Sequence, residues 1–151
     1  MSGVLASVDQ RTQLVGENRL ELLLFYLHSR HLFALNVFKV KEVVKLPHLS
    51  IIPHAHPKIS GVANIRGESI PVIDLRQAIC MSAAKNTEDS NLVITEYNRT
   101  VQGFLIGKVD QIVNMTWSDI MPPPSSIGKN HYLTALTKIQ RDGQEQLVEI
   151  I

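Results

Sequence analysis

The pattern that most limits the fold is a succession of short apolar runs, each closed within a few residues by turn-forming side chains. Leu20 to Leu27, His31 to Asn36, Leu92 to Tyr97, Val101 to Val109, Gln111 to Trp117, Tyr132 to Ile139 and Gln144 to Ile151 all read as strands. The last two flank Gln140-Arg141-Asp142-Gly143, whose Asp-Gly step is a strong hairpin signal. No strand alternates with a helix-length amphipathic segment, so a parallel βαβ sheet is excluded. Many short strands with close turns predict an all-β protein, built as a barrel or paired barrels.

Within that frame, Leu20-Glu21-Leu22-Leu23-Leu24-Phe25-Tyr26-Leu27 reads as a largely buried strand, followed by a polar turn at His28-Ser29-Arg30. Val37 to Val44 is valine-dense and reads as a turn leading into a strand. Pro47, Pro53 and Pro57 exclude a long helix or central strand from the next segment. Ile59 to Ala63 fits a brief helical turn or the approach to a strand. Ile65 to Ile73 reads as a tight hairpin in which Gly67 takes a positive φ. Pro71 implies that one side of its strand lacks a ladder partner. Gly61, Gly67 and Pro71 are thus the expected structural turn residues. Asp74 is placed to cap a short helix over Leu75 to Ile79.

Residues 82–91 are the most loop-like, and Pro122-Pro123-Pro124 reads as a stiff connection. Residues 1–19 differ from the rest. Val4, Leu5, Val8, Thr12 and Val15 fall on one side of a short helix that Gly16 ends, and so short a helix must dock on the body or on a partner. The domain proper is expected over residues 20–151. Because the sequence stops inside an apolar strand, a longer natural protein is expected.

The charge balance narrows the partners. Fifteen basic and 14 acidic residues leave a net charge of +1, and the basic residues are scattered, which argues against nucleic-acid binding. Cys80 is the single cysteine and reads as a buried small hydrophobe between Ile79 and Met81. No secretory leader is visible, and the longest strongly apolar run, Leu22 to Leu27, is too short to cross a bilayer. A cytoplasmic protein without direct membrane insertion is expected.

Chemistry finds little support. His54 and His56, with His48 nearby, lack the further convergent ligands a metal site needs. No Gly-x-Ser-x-Gly and no His-Glu-x-x-His occurs. Gly103-Phe104-Leu105-Ile106-Gly107 lacks the lysine and hydroxyl residue of a phosphate loop, so its glycines read as sites of strand curvature or close packing. Asp74 and Asp110 follow apolar runs and read as cap or turn residues. No enzyme, metal or cofactor is expected. Arg66 supports two readings, a surface arginine paired with Glu68 or an interface anchor. Val40 and Val43 fit core or groove, and Trp117 reads as core.

Several strings together resemble the CheW-like domain of bacterial chemotaxis coupling proteins. The central one is Gly61-Val62-Ala63-Asn64-Ile65-Arg66-Gly67 followed by Ile70-Pro71-Val72-Ile73-Asp74-Leu75. Phe38-Lys39-Val40-Lys41-Glu42-Val43, Gly107-Lys108-Val109-Asp110-Gln111-Ile112 and Tyr132-Leu133-Thr134 support it, in order across residues 20–151. The opening, Val8 to Phe25, resembles the start of the CheV branch, in which a phosphorylatable receiver domain follows the CheW-like domain. On that resemblance the domain's last helix and the receiver lie beyond Ile151.

The resemblance implies two five-stranded, SH3-like β-barrels around a hydrophobic seam, with short helices and a short N-terminal helix. It implies a scaffold that links the cytoplasmic tip of methyl-accepting chemoreceptors to the regulatory domain of the histidine kinase CheA. It places receptor contacts at Val40, Glu42 and Arg66 near the inter-barrel groove, with Ile112 and Val113 on the opposite wall, and kinase docking on exposed strands of the first barrel. Thr134-Ala135-Leu136-Thr137-Lys138 departs from the more glycine-rich stretch usual there. Two other readings stand beside it, a scaffold in a different signalling array such as twitching motility, and a small-ligand binder.

Overall fold

The computed structural model describes residues 19–27, 30–80, 90–123 and 133–151, with backbone alone for Cys80. The expected N-terminal helix, the centre of the turn at His28-Ser29, most of the 82–91 loop and the burial of Cys80 lie outside the described residues.

Eleven strands are described: β1 (Arg19–Tyr26), β2 (Leu32–Asn36), β3 (Val40–Lys45), β4 (Leu49–Ser50), β5 (Gly61–Ile65), β6 (Glu68–Asp74), β7 (Asn91–Tyr97), β8 (Thr100–Ile106), β9 (Val109–Thr116), β10 (Ala135–Arg141) and β11 (Gln144–Ile150). A single α-helical element among the described residues, α1 (Leu75–Cys80), follows β6. The strands form two sheets, ordered β10-β11-β2-β1-β9 and β3-β7-β8-β6-β5-β4. The all-β, two-sheet expectation is met, with the two-residue β4 as a sixth strand in the second sheet. Each sheet is antiparallel apart from one parallel pair, β2 with β11 and β6 with β8. The first sheet curls until Met121 bridges Leu136 of β10, with paired backbone hydrogen bonds of 2.7 and 2.8 Å.

β1 explains why its apolar run is continuous rather than alternating. Leu20, Leu22 and Leu24 point into the first sheet's interior with Leu32, Ala34, Val148 and Ile150. Leu23, Phe25 and Leu27 point the other way, into a seam shared with Phe33, Leu35, Leu75, Val93 and Ile106. Strand side chains alternate between faces, so a strand buried on both faces is apolar throughout. The Phe25 and Phe33 rings stack in the seam with centroids 6.2 Å apart. The second sheet has its own interior of Ala63, Ile70, Val72, Leu92, Ile94 and Leu105. The protein is therefore two curled sheets with separate interiors, joined by a third apolar layer.

Three hairpins close with two residues, both at positive φ: Arg66-Gly67 (52°, 82°), Asn98-Arg99 (50°, 63°) and Asp142-Gly143 (52°, 76°). Such turns match the right-handed twist of paired strands. Gly67 alone of the three expected turn residues sits in a turn. Gly61 opens β5, where a Cβ would lie 3.1 Å from Leu49 Cβ and Ser50 O, and Pro71 lies within β6 opposite Val62. Pairing of β6 with β8 begins one residue later, at Val72, so Pro71 loses no partner there. Asp74 does cap α1, accepting the Arg76 backbone N–H at 2.9 Å. The buried Arg76 guanidinium ties α1 to the second sheet through Ser90 Oγ and Ile106 O.

Two expectations fail. The run Val101 to Val109 is not one strand, because Gly107 and Lys108 turn the chain from the second sheet back to the first. Trp117 is not core: it stands in a 3₁₀ turn, Trp117–Asp119, with 44% of its surface exposed. Thr116 and Asp119 cap that turn, with Asp119 Oδ2 accepting Thr116 N at 3.2 Å and Thr116 Oγ1 at 2.8 Å.

The first sheet also carries a charged brace. Arg141, at the end of β10, donates through both terminal nitrogens to Asp110 and through Nη1 to Tyr26 Oη at 3.1 Å. The Asp110 carboxylate, through this hydrogen bond first, holds the guanidinium above its ordinary pKa. The fork crosses from one edge strand to the other and is half-buried, so Asp110→Asn is expected to cost about 1–2 kcal/mol. Urea unfolding of the variant checks this, with a change below about 0.5 kcal/mol marking the pair as an ordinary surface contact.

Candidate functional site

A 3₁₀ turn, Val37–Lys39, carries the chain out of the first sheet, with Asn36 Oδ1 accepting the Phe38 N–H at 3.0 Å. The chain then enters β3, the edge strand of the second sheet. Pairing with β7 shifts register between Val40, opposite Thr95, and Glu42, opposite Ile94. The extra residue, Lys41, makes a bulge, a common device for re-aiming side chains at a sheet edge. Cross-strand partners share a face. Val40 therefore turns to the seam, where it packs, while Glu42 turns with Ile94 toward the open end of the second sheet.

There Glu42 meets Arg66. Nη2 of Arg66 donates to both carboxylate oxygens of Glu42 at 2.6 Å. The structure pairs Arg66 with Glu42 rather than with Glu68, from the first position of its hairpin turn, where its φ is 52°. A left-handed backbone at arginine is strained. The turn is held in place by Asn64 Oδ1, which accepts the Gly67 N–H at 3.0 Å. Glu42 raises the Arg66 pKa, first by the hydrogen bond and then by its charge, and Glu68 adds the least. The side chain is 68% exposed, so most of the guanidinium faces solvent. The pair helps line a pocket of ≈ 190 Å³, together with Lys41, Ile65, Glu68, Ile70 and Ile94.

The other expected site residues are on the seam side or behind it. Ile112 is opposite Leu23, a seam residue, and is itself 57% exposed. Val43 is opposite Val93, also a seam residue, and is 38% exposed. Both therefore stand at the seam's open margins. Val113, the next residue along β9, faces the other way and packs against the first interior. The structure thus brings Glu42 and Arg66 into contact, places Val40 and Ile112 on seam-facing sides, and turns Val113 inward. Val43 is a margin residue that its alternation with Glu42 and Val44 could have identified.

This arrangement provides directional donors, a carboxylate and small apolar surfaces, which are the elements of recognition. Among the described residues, no group of three His, Cys, Asp or Glu side chains comes together. His56 Nδ1 accepts the Lys58 backbone N–H at 3.2 Å within its own loop.

The family model of the CheW-like domain matches residues 21–151. The chain belongs to this family. CheW-like proteins are non-enzymatic scaffolds. Chemotaxis protein CheV1 of Helicobacter pylori is 32% identical over the whole chain, which spans 52% of that relative. Chemotaxis protein CheV3 of the same organism is 34% identical over 74% of the chain and 37% of its own length. The chain thus spans about half or less of these CheV relatives. Chemotaxis protein CheW of Bacillus subtilis is 26% identical over 73% of the chain and 70% of its own length. The crystal structure of the scaffolding protein TtCheW from Thermoanaerobacter tengcongensis superposes with a TM-score of 0.75 at 28% identity, covering 87% of this chain and 83% of that one. No helix among the described residues is long and apolar enough to cross a membrane.

Proposed function

We propose that this CheW-like domain is a coupling scaffold joining the cytoplasmic tip of methyl-accepting chemoreceptors to the regulatory domain of the histidine kinase CheA, at the cytoplasmic face of a receptor array. The observation that carries the reading is the Arg66–Glu42 pair, which fixes an exposed arginine on a strained hairpin at the open end of the second sheet. Arginine offers directional donors and an apolar stem, the combination enriched at interface anchors. Val40 and Ile112 supply apolar surface toward the seam, suited to one face of a receptor-tip helix. The CheA regulatory domain docks on exposed strands of the first sheet. The relatives described above are chemotaxis proteins, which favours this array over one for twitching motility.

Calorimetric titration with the CheA regulatory domain, and separately with a receptor-tip fragment, tests the proposal. Saturable binding to both is expected, and a folded sample that binds neither overturns it. Arg66→Ala is expected to weaken receptor-tip binding about tenfold. Its thermal midpoint should move by no more than about 2 °C, because an exposed ion pair adds little stability. Unchanged receptor binding with a large loss of melting temperature would recast Arg66 as a brace within the second sheet.

A further inference from the structure

Glu68 opens β6 on the side of the strand where a charge is least expected. Side chains alternate along a strand, so Glu68 shares a face with Ile70 and Val72, both buried in the second interior. Its cross-strand partner, Ile65, packs against the same interior. A row that is apolar from Ile70 onward thus starts with an exposed carboxylate, and that residue lines the pocket beside Arg66. The two cations of the pocket are already engaged. Arg66 holds Glu42 through Nη2, and Lys41 Nζ lies 3.9 Å from Glu96 Oε2. Among the described residues, the Glu68 carboxylate has no hydrogen-bond or ion-pair partner. Two cations and three carboxylates therefore leave one negative charge unmatched, and it belongs to Glu68.

We propose that Glu68 is a partner-recognition residue of this site, receiving a lysine or arginine side chain from the helix that Arg66 contacts. The proposal rests on the receptor-coupling reading of the Arg66 site and adds the charge of the residue that enters. A cation complements the carboxylate left unmatched, whereas an acidic side chain there would meet Glu42 and Glu68 together. The aliphatic stem of lysine or arginine suits the half-buried Ile65, which stands opposite Glu68 in the hairpin. At ≈ 190 Å³ the pocket is smaller than an ordinary small-molecule site and suits a single side chain. The hairpin turn beside Glu68 is fixed by the 3.0 Å bond from Gly67 N–H to Asn64 Oδ1, so the carboxylate is presented with little ordering left to do.

The full chain, Glu68→Gln, Glu68→Lys and Glu145→Lys are each titrated with a receptor-tip fragment at physiological salt. Glu145 lies on β11 of the first sheet, so its reversal controls for the change in net charge. Affinity is expected to fall about threefold in Glu68→Gln and about tenfold or more in Glu68→Lys, while Glu145→Lys binds as the unaltered chain does. Melting curves verify that the variants remain folded. Each lysine and arginine of the fragment is then changed in turn to glutamate. One of these changes should restore binding to Glu68→Lys to within about threefold of the original pair, which a merely structural role for Glu68 would not produce. If Glu68→Lys binds the unaltered fragment as tightly as the unaltered chain does, this proposal alone is overturned. A full set of fragment variants in which none restores binding overturns it as well. An unaltered chain that binds no receptor tip overturns the coupling reading and this proposal with it.

Discussion

Gly107→Val is expected to lower the stability of the domain by about 3 kcal/mol or more. Gly107 sits where the chain leaves β8 and returns to the first sheet. Its N–H donates to Tyr26 O at 2.8 Å, and Tyr26 N–H donates to Lys108 O at 2.8 Å. A Cβ at this position would lie 2.5 Å from Leu27 O and 2.7 Å from Tyr26 O. Those neighbours are backbone atoms of the strand that carries both apolar layers, so relief requires moving β1 itself. Rotating a side chain cannot provide it. A loss of that size shifts the thermal midpoint of a chain this long by roughly 6–12 °C. Gly143→Ala is the matched control. It has a positive φ of 76° but open space around its missing Cβ, so it should cost only about 1 kcal/mol, from backbone strain alone. Urea unfolding of both variants separates the two effects. A Gly107→Val variant no less stable than Gly143→Ala would show that the crossover yields easily and does not tie the sheets together.

The crossover also shows where the sequence stops informing. Val101 to Val109 reads as one strand because its residues are apolar on both sides of the break. What ends β8 at Ile106 is the approach of Tyr26 and Leu27, about eighty residues earlier, and no local signal encodes that. β4 is hidden for a similar reason, since two residues between prolines carry no period. β1 was legible, because burial on both faces leaves a continuous apolar run. So was the Asp142-Gly143 hairpin, whose residue types suit the positive φ values it adopts.

Trp117 misled through its hydrophobicity, although Thr116 and Asp119, three apart, are a capping signal that marks a turn. The site was legible by resemblance and not by periodicity. Glu42 and Arg66 are 24 residues apart, and a turn arginine beside Glu68 gives no hint that it will reach across to β3. Alternation does separate Ile112 from Val113. Once Leu22 and Leu23 are assigned to different layers, their partners on β9 must face different ways.

The second large effect concerns the layer between the sheets. Phe25→Ala is expected to cost about 3–5 kcal/mol, although it removes nothing from either sheet's own interior. Phe25 is fully buried in the seam, stacked with Phe33 and packed in the same cluster as Leu75 of α1 and Val93 and Ile106 of the second sheet. Each sheet buries a modest interior of its own, and the seam supplies the surface that makes both stable together. A cavity there should therefore weaken both sheets, and hydrogen exchange should accelerate in β7 and β8 as well as in β1 and β2. Leu22→Ala provides the contrast, since Leu22 faces only the first interior and its amide effects should concentrate in that sheet. The margins that expose Val43 and Ile112 are held by their partners Val93 and Leu23, both seam residues. Loosening the seam should then weaken receptor-tip binding even with Arg66 and Glu42 intact. Exchange confined to β1 and β2 in Phe25→Ala, with binding unchanged, would mean that the two sheets fold and act as independent units.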